Sequence, residues 1–210
     1  MFKKLLISGF LLAVFAGVGT AAVSFVHDNA LPRITAVEKS QLLETLHQFV
    51  PPETFDNDMF SDTIEVHDAA LLGTNDPITV YRARKNGAPV ALVLTTIAPD
   101  GYSGDIKLLM GIRYDGSVAG VRVISHHETP GLGDRIEADR SPWIDGFAGK
   151  SLENPEEEQW HVKKDGGQFD QFTGATITPR AVVKAVANTL RYYEKHRDEL
   201  FAPASEKPHE

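Results

Sequence analysis

Residues 79–124 read TVYRARKNGAPVALVLTTIAPDGYSGDIKLLMGIRYDGSVAGVRVI, and this stretch decides the fold. It contains four alternating or continuous apolar runs, at 79–83, 90–97, 106–112 and 118–124. Asn86-Gly87 lies between the first two runs and Asp115-Gly116 between the last two. Such dipeptides favour the positive φ angles of tight hairpin turns. The stretch therefore predicts an antiparallel meander.

Helical spacing is found on both sides of this predicted sheet. After Pro179, apolar residues recur at helical intervals: Val183, Val186, Leu190 and Tyr193. The spacing predicts a helix that begins near Pro179 and packs its apolar stripe on the sheet. A shorter helical stretch is expected through Trp143 and Phe147, and an amphipathic helix is expected before Pro51. The fold class is thus α+β, an antiparallel sheet packed with helices.

The N-terminal segment predicts a membrane anchor. Residues 5–26 carry no charge, and as a helix they would extend about 33 Å, enough to cross a hydrocarbon core. Lys3 and Lys4 precede this run, so the positive-inside bias places the N-terminus in the cytoplasm and the rest of the chain outside. A cleaved signal peptide is the alternative, but its apolar region is usually only about 7–15 residues long.

Composition and charge exclude several function classes. The net charge of −8 argues against a nucleic-acid binder, because neutralising phosphates requires a basic face. The absence of cysteine excludes disulfides, thiolate zinc sites and cysteine-ligated clusters. His126 and His127 are adjacent, so on a strand they would point to opposite faces and could not chelate one ion. The acidic run 153–158 is expected to be a solvated loop, and no metal site is predicted.

Thr178 is the residue with the most informative position. Residues 173–178 read TGATIT and are followed by Pro179. A threonine directly before a proline at the start of a helix is a good N-cap, and this explanation needs no cofactor. The same position places Thr178 beside unpaired backbone N–H groups, where a phosphate would be stabilised. Residue types alone leave both interpretations open.

A family resemblance favours the second interpretation. The sequence TGATIT resembles the [Ser/Thr/Asp]-Gly-Ala-Thr-x-Thr signature of an FMN-binding domain. That domain is found in the G subunit of the Rnf (Rsx) ion-translocating electron transport complex and in the C subunit of the sodium-translocating NADH:quinone reductase. The resemblance also covers the N-terminal anchor, GYSGDI at 101–106, HETPGLGD at 127–134 and KKDGGQFDQF at 163–172. The short length and the continuation Pro179-Arg-Ala-Val-Val183 are more similar to the Rnf protein.

The resemblance implies a covalent flavoprotein. It places FMN on Thr178 through a phosphoester and the other cofactor-binding residues at Thr173, Gly174, Ala175, Thr176, Glu128 and Thr129. It implies no catalytic residue in the protein itself, because a separate flavin transferase attaches the FMN and the flavin carries the electrons. Trp143, Trp160, Phe169 and Phe172 are expected mainly in the core.

The sequence patterns and the resemblance together predict a domain organisation and a setting. Residues 1–27 form a transmembrane anchor, 28–62 a helical connector, 63–200 the FMN-binding domain and 201–210 a polar tail. The expected location is the inner membrane, with a single pass and the flavin domain on the periplasmic side. The expected role is electron relay within a complex that couples electron transfer to ion transport, with no complete activity for the isolated chain. The alternatives are a noncatalytic membrane-tethered assembly module and the quinone reductase subunit.

Overall fold

The computed structural model describes residues 45–202 and, before them, positions 7, 9, 12, 14–17, 19 and 20. The chain divides into two compact units, residues 1–44 and 45–210. In the first unit, the described positions are helical. Most of the predicted transmembrane anchor, residues 28–44 of the predicted connector and most of the predicted tail lie outside the described residues. Within the described residues, no helix is both long and apolar enough to cross a membrane.

A five-stranded sheet forms the second unit. Its strands are β1 (Thr63–Val66), β2 (Ile78–Lys85), β3 (Ala88–Ala98), β4 (Ile106–Arg113) and β5 (Val118–Ser125). The strands lie in chain order, and each pairs antiparallel with the next. The predicted meander is therefore confirmed, with the four apolar runs in β2 to β5. β1 was not predicted, because four residues that include the polar Thr63 and Glu65 give too weak an alternation.

The two predicted turns connect the strands as expected. Asn86 and Gly87 have φ angles of 51° and 80°, which close the tight connection between β2 and β3. Gly116 has a φ of 87° in the turn between β4 and β5. The connection between β3 and β4 is longer, residues 99–105, and it reaches the candidate site described below.

The helical elements surround the sheet. Residues 45–49 are helical, where an amphipathic helix was predicted before Pro51. The α-helices that follow them are α1 (Ala69–Leu72) and α2 (Ile177–Phe201). Short 3-10 helices cover Pro52–Thr54, Gly133–Ile136, Pro142–Phe147, Glu157–Gln159 and Lys163–Asp165. The predicted helix near Pro179 is confirmed as α2, although it begins two residues earlier. The helical stretch predicted through Trp143 and Phe147 is a 3-10 helix. Ser141 is its N-cap, and the Ser141 side chain accepts a hydrogen bond from the Trp143 N–H group.

Both faces of the sheet are covered. On one face, α2 residues such as Val182, Val186 and Leu190 pack in the main hydrophobic core with Leu92 and Leu94 of β3. Burying each such side chain contributes about 1.5–3 kcal/mol.

Phe49 lies against the other face, where only glycines leave room for its ring. A Cβ built on Gly120 would lie 2.3 Å from Phe49 Cδ1, and one on Gly111 would lie 3.0 Å from Phe49 Cβ. Of the four aromatic residues expected in the core, Trp160, Phe169 and Phe172 are buried, and Trp143 packs against the core while partly buried.

Candidate flavin site

A cavity of about 350 Å³ lies at the N-terminal end of α2. Three segments line it: the β3–β4 connection at Tyr102, the loop after β5 at residues 128–133, and residues 174–178 entering α2. Six of the seven residues expected to bind the cofactor line this cavity: Glu128, Thr129, Gly174, Ala175, Thr176 and Thr178. Segments that are distant in sequence thus meet at one place because the meander brings the ends of β3 and β5 beside the start of α2.

The segment before α2 forms a tight turn. Ala175 donates its N–H group to the Phe172 carbonyl oxygen at 3.1 Å, and Gly174 has a φ of 84°. This left-handed conformation is strained for residues with a Cβ, so glycine is the residue that the turn requires. Thr173 is exposed and does not line the cavity, which separates it from the other residues of the motif.

Thr178 does not cap the helix, contrary to the N-cap interpretation of the sequence. The N-cap is Thr176, which has helical dihedrals of −76° and −28° and makes no side-chain capping bond. The helix therefore begins at Ile177 and contains Thr178 in its first turn. Pro179 is accommodated because first-turn N–H groups have no intrahelical partner to lose. The Thr178 hydroxyl instead donates a hydrogen bond to Glu128 Oε2.

Glu128 is buried and held from several sides. Its exposed fraction is 4%, and that of Thr178 is 1%. The Ser103 N–H group donates to Glu128 Oε1 at 2.9 Å. A Cβ built on Gly133 would lie 2.9 Å from both Glu128 Oε2 and Thr178 Oγ1, and one on Gly101 would lie 3.0 Å from Glu128 Oε1. Two glycines therefore leave the space that this carboxylate and hydroxyl occupy.

His126 fixes the backbone of Glu128. Its Nδ1 atom accepts the Glu128 N–H group at 3.0 Å, and its Nε2 atom lies 2.6 Å from Glu137 Oε1. Because Nδ1 accepts, the hydrogen-bond network assigns the ring proton to Nε2, which donates to Glu137. Both ring nitrogens are thus engaged by protein atoms.

An ion pair fastens the start of α2 to the preceding segment. Arg180 donates through Nε and Nη2 to the two carboxylate oxygens of Asp165, each at 2.5 Å. These hydrogen bonds lower the pKa of Asp165 and raise the pKa of Arg180. The bidentate contact orients the first turn of α2 relative to the 3-10 helix Lys163–Asp165.

The chemical character of the cavity suits a phosphorylated aromatic ligand. The first N–H groups of α2, including those of Ile177 and Thr178, lack intrahelical partners and provide a partial positive charge for an anion. Three side chains that line the cavity expose apolar surface: Tyr102 at 68%, Leu132 at 42% and Ile177 at 45%. Such surface would be buried by a flat ring.

Several residues of this site were not predicted from the sequence. The Ser103 backbone contact depends on a connection 25 residues before Glu128, and no local pattern indicates it. Gly133 belongs to a glycine-rich loop in the sequence, but its close approach to Thr178 follows only from the fold. Tyr102 and Leu132 lie in two segments that carry the family resemblance, GYSGDI and HETPGLGD. Neither was predicted to bind the cofactor, because single surface hydrophobic residues are common.

Family models of known proteins match most of the chain, and they agree with the resemblance found in the sequence. A family model described as the FMN-binding domain matches residues 101–191, which include every lining residue of the cavity. A second model, described as the RnfG N-terminal region, matches residues 1–49.

Curated relatives match almost the whole chain. A protein of Shewanella piezotolerans is 46% identical over 206 residues, which cover 98% of this chain and 97% of the relative. A protein of Pseudomonas aeruginosa is 45% identical over 208 residues, covering 99% and 97%. One of Aliivibrio fischeri is 47% identical over 193 residues, covering 92% of each. All three are named as the G subunit of an ion-translocating oxidoreductase complex.

Proposed function

This chain belongs to the family of G subunits of ion-translocating oxidoreductase complexes and contains an FMN-binding domain, and on that basis we propose that it relays electrons through FMN joined to Thr178 by a phosphoester. The protein supplies the attachment point, the surroundings and the position of the flavin, and the bound flavin supplies the electron chemistry. In the assembled complex this relay is coupled to ion transport across the membrane.

The position of Thr178 carries the proposal. Thr178 is one of the residues that line the cavity, and its N–H group belongs to the first turn of α2. A phosphate on Thr178 would therefore lie beside unpaired N–H groups and the positive end of the helix dipole. An ester also keeps the flavin on an exported domain, where a dissociated cofactor would be lost.

The proposed setting is a single-pass subunit of the inner membrane. The uncharged residues 5–26 and the preceding Lys3 and Lys4 support an anchor with a cytoplasmic N-terminus. The flavin domain would then lie on the periplasmic side, where a flavin transferase attaches FMN. Other subunits of the complex are the expected electron partners.

The noncatalytic assembly module loses its main support. It explained Thr178 as a helix cap, whereas the Thr178 hydroxyl is engaged with Glu128 and the N-cap is Thr176. The related flavin subunit of the sodium-translocating quinone reductase remains the other flavoprotein candidate, but the relatives reported above all carry the name of the ion-translocating oxidoreductase complex. Co-purification with the membrane subunits of either complex distinguishes the two.

Intact mass spectrometry tests the attachment. The full chain is expressed with a flavin transferase and exported, and its mass is compared with that of Thr178→Ala and Thr178→Ser. We expect a gain of one FMN minus one water in the unmodified protein, with flavin fluorescence retained after denaturing electrophoresis. Thr178→Ser keeps the hydroxyl and should retain the adduct, whereas Thr178→Ala should lose it. An adduct that persists in Thr178→Ala would place the ester elsewhere.

A further inference from the structure

The contact between Thr178 and Glu128 joins two side chains 50 positions apart in the sequence. Both are at least nine-tenths buried, so their hydrogen bond is shielded from water. A carboxylate removed from water requires strong hydrogen-bond donors. Glu128 receives two, the Ser103 N–H group at Oε1 and the Thr178 hydroxyl at Oε2.

The two carboxylate oxygens of Glu128 therefore have different partners. Oε1 is fixed by a backbone donor, and the Glu128 backbone is itself fixed by His126 Nδ1. Oε2 remains available to the Thr178 hydroxyl alone. Among the contacts of residues 45–202, Thr178 Oγ1 donates to Glu128 and receives no hydrogen bond, so its lone pairs have no protein donor there.

A threonine hydroxyl is a weak nucleophile unless a base takes its proton. A base must lie within hydrogen-bond reach of that proton, and in this site the Glu128 carboxylate meets the requirement. Glu137 binds His126 and Asp165 binds Arg180. Asp134 is buried and its Oδ1 atom has no partner among the described residues, but the hydrogen bond of the Thr178 hydroxyl goes to Glu128. A hydroxyl, a base within reach of its proton and a group that orients the base form the pattern by which an activated nucleophile is recognised.

We propose that Glu128 accepts the proton of the Thr178 hydroxyl when the flavin is attached, an inference that rests on the proposed function. Thr178 Oγ1 forms a bond to the phosphorus nearest the riboflavin part of a flavin adenine dinucleotide. The pyrophosphate bond breaks, AMP leaves, and the proton moves from Oγ1 to Glu128 Oε2. The flavin is neither oxidised nor reduced in this step.

The site after flavin attachment also favours Glu128 as the proton acceptor. A phosphodiester on Thr178 carries a negative charge and removes the hydroxyl that served Glu128 as a donor. A charged Glu128 beside it would then place two negative groups in a buried site, which is costly. A Glu128 that has taken the proton is neutral and can donate to an oxygen of the diester, so the same residue suits the site before and after attachment.

The test is the rate of flavin attachment in Glu128→Gln. The full chain, purified without flavin, is mixed with a flavin transferase and flavin adenine dinucleotide, and the mass gain is followed in time. We expect the rate to fall by about 100-fold or more, the usual contribution of a general base. Glu65→Gln makes the same chemical change at an exposed position of β1 and should react at the unmodified rate. Glu128→Asp keeps a carboxylate at a shorter reach and should be intermediate.

The stability of Glu128→Gln separates a base from a structural contact. A base acts only in the attachment step, so Glu128→Gln should unfold at the same denaturant concentration as the unmodified protein while it reacts slowly. A Glu128→Gln chain that is already unfolded under the conditions of the reaction would assign Glu128 a structural role and overturn the inference. Attachment to Glu128→Gln at the unmodified rate would assign the base to the transferase and would also overturn it. Absence of any adduct on the unmodified protein would instead refute the proposed function.

Discussion

At the scale of single residues, Gly133 controls the distance between the Thr178 hydroxyl and the Glu128 carboxylate. A Cβ at this position would lie 2.9 Å from Glu128 Cβ, Glu128 Oε2 and Thr178 Oγ1. Gly133→Ala should therefore separate the two side chains, slow flavin attachment and lower the free energy of unfolding by about 1–3 kcal/mol, as overpacking does. Attachment kinetics and chemical denaturation measure the two effects. Gly146→Ala is the control, since its Cβ would meet no atom within 4 Å.

The sequence predicted the members of this site better than their roles. The motif TGATIT led to Thr178, the resemblance led to Glu128 and Thr129, and the structure brings these residues to one cavity. The role of Thr178 was less predictable, because the cap position depends on the dihedral angles of Thr176 and Ile177, which the sequence does not specify. The Ser103 and Gly133 contacts follow from the tertiary arrangement of loops and have no local signature.

At the scale of elements, the C-terminal end of α2 is held by β2. Arg82 is 1% exposed, forms an ion pair with Asp62 and donates to the Ala202 carbonyl oxygen at 2.7 Å. Arg84 donates to the Phe201 carbonyl oxygen at 2.8 Å and to Asp62 Oδ2 at 2.8 Å. These cations satisfy carbonyl groups that a helix end leaves unpaired, and they complement the helix dipole.

Arg82→Ala should therefore lower the free energy of unfolding by about 3 kcal/mol, at the lower end of the cost of breaking a buried ion pair, because Asp62 keeps Arg84. Denaturant unfolding measures the change. Lys85→Ala, on the same strand, removes an exposed contact to the Glu53 carbonyl oxygen and should change stability by less than about 0.5 kcal/mol. An equal loss of stability in the two variants would contradict the proposal that Arg82 holds the C-terminal end of α2.

An element could be predicted from the sequence where its apolar periodicity and its turn residues were clear. β2 to β5 and α2 were predicted because their apolar periods are long and their turns contain Asn-Gly and Asp-Gly. β1 is four residues long and gains its order from pairing with β2, for example Ile64 with Val80. The segment through Trp143 has helical composition, but its six residues form a 3-10 helix. The contact of Arg82 with the end of α2 joins residues 120 positions apart, beyond the reach of any periodicity.

At the scale of the whole molecule, the proposed relay predicts that electrons enter and leave this chain through partners. Its sequence has no G-x-G-x-x-G that follows a strand and opens a helix. Within residues 45–202, the sheet is antiparallel and lacks the crevice at the carboxyl ends of parallel strands where dinucleotides bind. The flavin-loaded isolated chain should therefore not oxidise NADH faster than free FMN does, while dithionite should reduce its flavin fully. Stopped-flow absorbance of the flavin after mixing with NADH measures this directly. Rapid bleaching by NADH would mean that a nicotinamide site exists in this subunit, and the relay role would then have to be replaced by that of a dehydrogenase.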